Sequence, residues 1–259
     1  LLEIADLPYV GAGVLGSALG MDKELAKRLW QHAELPTVPF RSLRREDLVD
    51  ADDELDGARL ERAADEIAEA LPSPWFVKPA RAGSSVGVTR VASREAFADA
   101  AVAALRFDTK LLVEPEVDGR EIECSVIGTE AIRTFPPGEI RPTHDFYSYE
   151  AKYVDPDGAA LFVPAELPES LADEVRSIAA RAYRAVDCEG FARMDFFVDS
   201  DSGDIWLNEI NTIPGFTSIS MFPKLCEAGG LAYGELLSEL VDLALRRYSL
   251  KSALSYQWS

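Results

Sequence analysis

The chain has 259 residues, 47% of them hydrophobic, and a formal charge of −19 from 45 acidic against 26 basic residues. That much apolar material can fill a core, so disorder is not the default. So acidic a surface repels phosphate backbones and argues against nucleic acid as a partner, while leaving room for a nucleotide where cations gather and a metal ion assists.

Cys124, Cys188 and Cys226 are odd in number, far apart and without C-x-x-C spacing. They read as buried thiols in a reducing, cytoplasmic setting. No apolar run approaches the ~20 residues that a membrane helix needs. No basic-then-apolar leader opens the chain.

The opening "LLEIADLPYVG" reads as the last turns of an amphipathic helix and then a short strand. No capping residue or methionine precedes it, so further residues are expected upstream. "GMDKELAKRLWQHAELP" predicts one helix, capped by Asp22, with Leu25, Leu29 and Ala33 at helical spacing and Pro36 as its stop. "VPFRSLRRED" predicts a strand. The acidic stretch 50–71 predicts a solvated loop and a helix with a charged face. "WFVKPA" and "VGVTRVA" predict strands on either side of a small-residue loop. "SREAFADAAVAALRF" predicts a helix capped by Ser93. "KLLVEPEV" predicts a buried strand and "REIECSVIG" an alternating one.

Residues 136–160, rich in proline, tyrosine and charge, predict a long loop of the kind that is often functional. Beyond it, Leu171, Val175, Ile178, Ala182 and Val186 share one helix face, and Gly190 lies just past that helix. "FARMDFFVD" and "DIWLNEIN" then form a hairpin, and a last helix spans about Tyr233 to Arg247. Strands, helices and antiparallel hairpins in this mixture indicate an α+β fold.

The hairpin carries the most chemistry. If it is centred near Ser202, Asp195 stands opposite Glu209, and Asn211 shares the face of Glu209. Two carboxylates cannot sit together uncompensated. An all-oxygen donor set without His or Cys suits Mg²⁺, or Mn²⁺, rather than Zn²⁺. The alternative is two exposed acids on an edge strand. Arg193 lies on the same face, placed to stabilise a transferring phosphoryl group or to pair with one of the acids. "NTIPGFTSIS" follows, with Gly215 able to bring a backbone N–H close to a ligand and Ser218 and Ser220 as donors.

Lys78 ends the strand before "ARAGSSVGV", a loop of exposed N–H groups and serine hydroxyls. Such a pair fits a phosphate site, although a plain Gly/Ser turn fits the loop equally well. Lys23 occupies a first helical turn, where the macrodipole disfavours a cation, so it is either a mobile surface lysine or the partner of an anion. Taken together, the lysines, loop and carboxylates make Mg-ATP the leading ligand.

"MDK", "VKPARAGSSVGV", "FYSYEAKY", "RMDFF" and "NEINTIPGFTS" together resemble the D-alanine–D-alanine ligases, which are ATP-grasp enzymes. The likeness covers nearly the whole chain, in order. It implies two α+β subdomains clasping the nucleotide between antiparallel sheets: 19–118 and 119–250, with 1–18 ending a preceding domain and 251–259 a tail. It implies that Lys23 and Lys78 hold ATP phosphates and that Ser84 and Ser85 lie in the loop over them. Glu114 would meet the adenine amino group, the backbone near Val117 its ring, and Glu121 the ribose. Asp195, Glu209 and Asn211 would hold two Mg²⁺ ions. Arg193 and the Gly215 N–H would stabilise the reacting carboxyl. Ser220, with Met221 beside it, would receive the second substrate. Tyr147, Lys152 and Tyr153 would belong to a mobile loop at about 138–160 that closes the site.

The implied activity joins two D-alanines for peptidoglycan precursors, through an acyl phosphate, in a cytoplasmic homodimer. The tyrosine–lysine–tyrosine pattern of the loop favours the dipeptide over D-lactate or D-serine products. The family's N-terminal domain, which brings an acid and a histidine to the first D-alanine, is not matched here. His32 and His144 do not correspond to that histidine and read as surface residues. A truncated, non-catalytic ATP-binding module is therefore the other expectation.

Overall fold

A computed structural model describes residues 1–142, 159–217 and 220–255. Two antiparallel sheets organise it. The smaller contains β1 (Arg41–Arg44), β4 (Lys110–Pro115), β2 (Trp75–Pro79) and β3 (Thr89–Val91), in that order. Against it pack α4 (Gly57–Ala70) and α5 (Phe97–Leu105), burying Trp75, Ile67, Phe97 and Leu111. The short helix α3 (Arg45–Leu48) adds Leu48 to that core.

The larger sheet runs β10 (Ile205–Asn211), β9 (Gly190–Val198), β5 (Arg120–Gly128), β7 (Gly138–Pro142), β8 (Ala159–Phe162). Strand β6 (Ile132–Thr134) pairs with β5 to one side. One face of β9, with Ala192, Met194, Phe196 and Val198, closes a core under α2 (Lys23–His32) and α6 (Glu169–Ala185). The other face is divided. Its Phe191 and Ile127 lie in a second core with α7 (Met221–Ala228) and α8 (Tyr233–Ser252). Its centre carries charge: Glu123, Asp195 and Arg193 are on this side by strand parity.

Helix α2 joins the two halves. Trp30 is fully buried and donates to the Ala182 carbonyl at 3.0 Å, on the larger sheet's side. Asp22 and Glu24 reach the other way, to Lys110 of β4 at 2.6 Å each. Residues 36–38 cover the exposed edge of β10 through Leu207 N→Pro36 O and Val38 N→Leu207 O, which blunts an edge open to pairing with another chain.

Several expectations need correction. Residues 2–6 form turns, not a helix end, and no strand follows before residue 11. Leu1 and Ile4 are almost fully exposed there, so no packing supports so short a helix. The helix expected behind Asp22 is α2, and a separate helix that was not expected, α1 (Val14–Met21), precedes it. Asp22 separates the two: its backbone is extended and its side-chain Oδ1 caps α2, accepting from Leu25 N at 3.1 Å. The buried face of α2 is Ala26, Lys27 and Trp30, whereas Leu25 is exposed.

Ser93 sits at an N-cap position but does not cap; a 3₁₀ turn (Arg94–Ala96) precedes α5. Strand β5 does not alternate, because both of its faces are covered and seven consecutive residues are buried. The ends of the expected loop at 138–160 are strands, β7 paired with β8. Helix α7 was not expected at all. Its Pro223 falls in the first turn, where the missing N–H costs nothing.

Glu139 of β7 is buried and gripped by Arg120 (3.0 and 2.5 Å) and Arg141 (2.8 and 2.9 Å). Burial pulls its carboxyl upward, but the arginine hydrogen bonds outweigh this and hold it at about 2, against an ordinary 4.5. Such a group stabilises the fold fully above the unfolded value near 4.5, and the contribution fades as pH falls towards 2. In denaturant titrations, the stability gap between the parent and Glu139→Gln should be widest at neutral pH and narrow clearly by pH 3. An unchanged gap would mean the arginines do not set this carboxyl.

Candidate active site

The hairpin places Asp195 directly across from Glu209, but by way of a bulge. Near the turn, Ile205 pairs with Val198 and Leu207 with Phe196; the register then shifts at Asn208. Without that shift Asp195 would face Asn208. The bulge also reverses parity, so Leu207 lies in the core while Glu209 and Asn211 turn to the charged side with Asp195.

On this face Arg193 clasps Asp195 with two bonds of 2.7 Å and approaches Glu123 at 3.1 Å. The Asn211 carboxamide donates to the same aspartate at 2.9 Å. Burial would lower the Arg193 guanidinium, but Asp195 and Glu123 reverse that and the net direction is upward. It stays charged at any working pH.

The facing charges come from α2 and the smaller sheet. Lys23 reaches Glu209 at 3.3 Å and donates to the Ala82 carbonyl at 2.9 Å. Its backbone N–H bonds Ala80 O at 3.0 Å. The first turn of α2 is thereby tied to the loop after β2. Lys78 meets Glu114 on the neighbouring strand at 2.5 Å. Lys27, one helical turn beyond Lys23, meets the other oxygen of Glu114 at 3.0 Å. Burial, then the repulsion of Lys78, pulls Lys27 below an ordinary lysine against the pull of Glu114. Burial pulls Glu114 upward, but Lys27 and Lys78 overcome it, and the carboxyl ends lowered and ionised.

Lys23, Lys27, Lys78 and Arg193 thus balance Glu114, Glu123, Asp195 and Glu209. A polyanion arriving alone finds no net charge to neutralise it. It needs cations of its own.

The chain matches the family described as D-ala D-ala ligase C-terminus over residues 29–242. The chain belongs to that family. Family relatives include the D-alanine–D-alanine ligase of Treponema denticola, 48% identical over 248 residues, covering 96% of this chain and 66% of the relative. D-alanine–D-alanine ligase A of Bradyrhizobium diazoefficiens is also 48% identical, covering 98% and 66%. Among solved structures, the D-alanine–D-alanine ligase of Coxiella burnetii superimposes with a TM-score of 0.79 at 37% identity, covering 97% of this chain and 64% of that one. The VanG D-Ala:D-Ser ligase of Enterococcus faecalis gives 0.81 at 33%, covering 93% and 66%. The chain therefore spans just under two thirds of the length of these ligase relatives. Its fold is that of the ATP-grasp ligases, with mixed helices and antiparallel sheets.

Within the ligase fold, the other expected residues are distributed as follows. Ser84 is exposed and Ser85 half-buried, and both take the left-handed backbone at φ 53° and 58°. Two serines in that region at consecutive positions are strained, a feature that clusters at ligand clamps. Gly87 follows at φ 72°, and a Cβ there would strike Phe107 and Pro79 at 2.7 and 2.8 Å. Glu121 lies two residues before Glu123 on the same face of β5, and Val117 is half-buried in the segment between β4 and β5. The Ser220 hydroxyl receives the Thr217 N–H at 3.0 Å, and a Cβ on Gly215 would come within 2.8 Å of it.

Met221 follows Ser220 at the start of α7, with its side chain buried in the α7–α8 core. Tyr147, Lys152, Tyr153, His144 and Ser218 lie outside the described residues. His32 is exposed, as expected. All three cysteines are buried and reduced, and burial pushes each thiol up to about 12.

Two site residues escaped the sequence reading. Glu123 shares the face of Glu121, and that parity could have found it. Lys27 shares the face of Lys23 at i+4, but a lysine reads as surface.

Among the described residues no cluster of three or more His, Cys, Asp or Glu is arranged to hold a metal. The donor set therefore depends on Asn211 beside Asp195 and Glu209. These side chains offer hard oxygens only, the chemistry that suits Mg²⁺, with Asp195 and Glu209 still 15% and 29% exposed and Asp195 held by Arg193 and Asn211 in this structure. No helix among the described residues is long and apolar enough to cross a membrane.

Proposed function

We propose that this chain carries the nucleotide and metal site of an ATP-dependent ligase that joins two D-alanines. The observation that carries the reading is the opposition of Asp195 and Glu209, with Arg193 beside them and Lys23 and Lys78 facing. Two Mg²⁺ ions, or Mn²⁺, bound by Asp195, Glu209 and Asn211 would supply the positive charge that a balanced site lacks.

The residues then divide the work. Lys23 and Lys78 bind the phosphates, and Ser84 and Ser85 cover them. Glu114, Val117 and Glu121 take the adenosine. The γ-phosphoryl group passes from ATP to the carboxylate of the first D-alanine, releasing ADP. The amine of the second D-alanine attacks that carbonyl carbon, the C–O bond to phosphate breaks, and phosphate leaves with a proton lost from the amine. Arg193 and the Gly215 N–H stabilise negative charge on the reacting carboxyl. Ser220 and the backbone of Met221 receive the second carboxylate. Tyr147, Lys152 and Tyr153 close over the site and exclude water. A cytoplasmic homodimer is the setting we propose.

The likeness to a D-Ala:D-Ser ligase supports a second reading, in which the second substrate is D-serine. The test is incubation with Mg-ATP and D-alanine, with and without D-serine, and identification of products by mass. D-Alanyl-D-alanine as the main product is expected. A main product of D-alanyl-D-serine favours the second reading. Nucleotide binding with no dipeptide would overturn ligase activity for this chain and leave a binding module.

A further inference from the structure

We infer that Lys27 is a positioning residue that keeps Lys78 available to nucleotide phosphate by taking half of the Glu114 carboxylate. The inference deepens the proposed function and rests on it. Lys27 lies too deep to touch a ligand: its side chain has no exposed surface, whereas that of Lys78 keeps 11%. Glu114 stands between them, one oxygen at 3.0 Å from Lys27 and the other at 2.5 Å from Lys78.

One carboxylate shared by two ammonium groups neutralises neither fully. The surplus positive charge can be satisfied only where a ligand can arrive, at the Lys78 end. With Lys27 absent, the whole of Glu114 falls on Lys78 and cancels the cation that the phosphates would meet. Burying a lysine is costly, and an apolar side chain of similar length would fill the space as well. What Lys27 adds is its charge, delivered through low-dielectric surroundings where it carries furthest.

The test compares ATP and AMP affinities by calorimetry, in magnesium, for the parent chain, Lys27→Met and Lys27→Met/Glu114→Gln. Because the effect acts on phosphate charge, the ATP-to-AMP affinity ratio should fall about tenfold in Lys27→Met. The melting temperature should stay within a few degrees, since Glu114 keeps Lys78. The double variant removes the excess carboxylate and should recover most of the ratio, whatever it costs at the adenine; it also serves if the single variant does not fold. An unchanged ratio in both variants overturns the inference. So does an equal loss of ATP and AMP with a large fall in melting temperature, which would make Lys27 a structural ion pair. A parent chain that binds neither nucleotide overturns the proposed function, and this inference with it.

Discussion

Glu209→Gln should lower phosphate release in the ligase assay by about 10²- to 10³-fold while leaving the fold intact. Glu209 is one of two opposed carboxylates in the proposed metal site, and the amide keeps the shape but removes the charge. In the structure it pairs with Lys23 at 3.3 Å and is partly exposed. A pair of that kind contributes at most about 1 kcal/mol, so unfolding should shift little. The loss should not be recovered by raising ATP, because the amide cannot hold the ion that the triphosphate requires. A variant that regains full rate at high ATP would show that Glu209 acts only in binding. A variant that unfolds would show that the pairing with Lys23 is structural.

Lys110→Met should be the most destabilising of the conservative changes, by roughly 3–5 kcal/mol. Lys110 is buried and touches both oxygens of Asp22, at 2.7 and 2.6 Å, and Glu24 at 2.6 Å. Burial works against ionisation of Glu24, but its bonds from Lys110, Arg28 and Ser42 hold it at about 2. Removing the lysine leaves two carboxylates in a dry place, with Glu24 still paired to Arg28. For a chain of this size the melting temperature should fall by roughly 6–20 °C. The loss should reach the site as well, since these contacts fix the first turn of α2 and hence Lys23. Lys110→Met/Glu24→Gln should recover part of the stability. No recovery would mean that packing of the lysine stem, not charge, supplies the effect.

Much of the candidate site could be read from the chain because it lies on strands, where side-chain parity is strict. Asp195, Glu209 and Asn211 needed only a hairpin and a two-residue period. Even so, the opposition was reached by a route the reading did not contain. Asn208 bulges out, and the turn is centred half a residue earlier than assumed, so the two departures cancel. Asp22 was legible as a cap because capping is local chemistry. Lys27 was not, since a helix pattern cannot show that Glu114, 87 positions further along, will stand beside it. Strands β7 and β8 were hidden for the same reason: they pair across an intervening segment, and proline-rich texture masks the alternation. The burial of Met221 followed from a helix, α7, too short to announce itself by periodicity.

With the site's own charges in balance, triphosphate binding should depend on a divalent ion held by the hairpin. The most direct measurement is ATP affinity by calorimetry with magnesium and with excess chelator, for the parent chain and Asp195→Asn. Tight binding that needs magnesium is expected in the parent chain, and weak binding that no longer responds to the ion in the variant. Equal affinity with and without magnesium in the parent chain would contradict it.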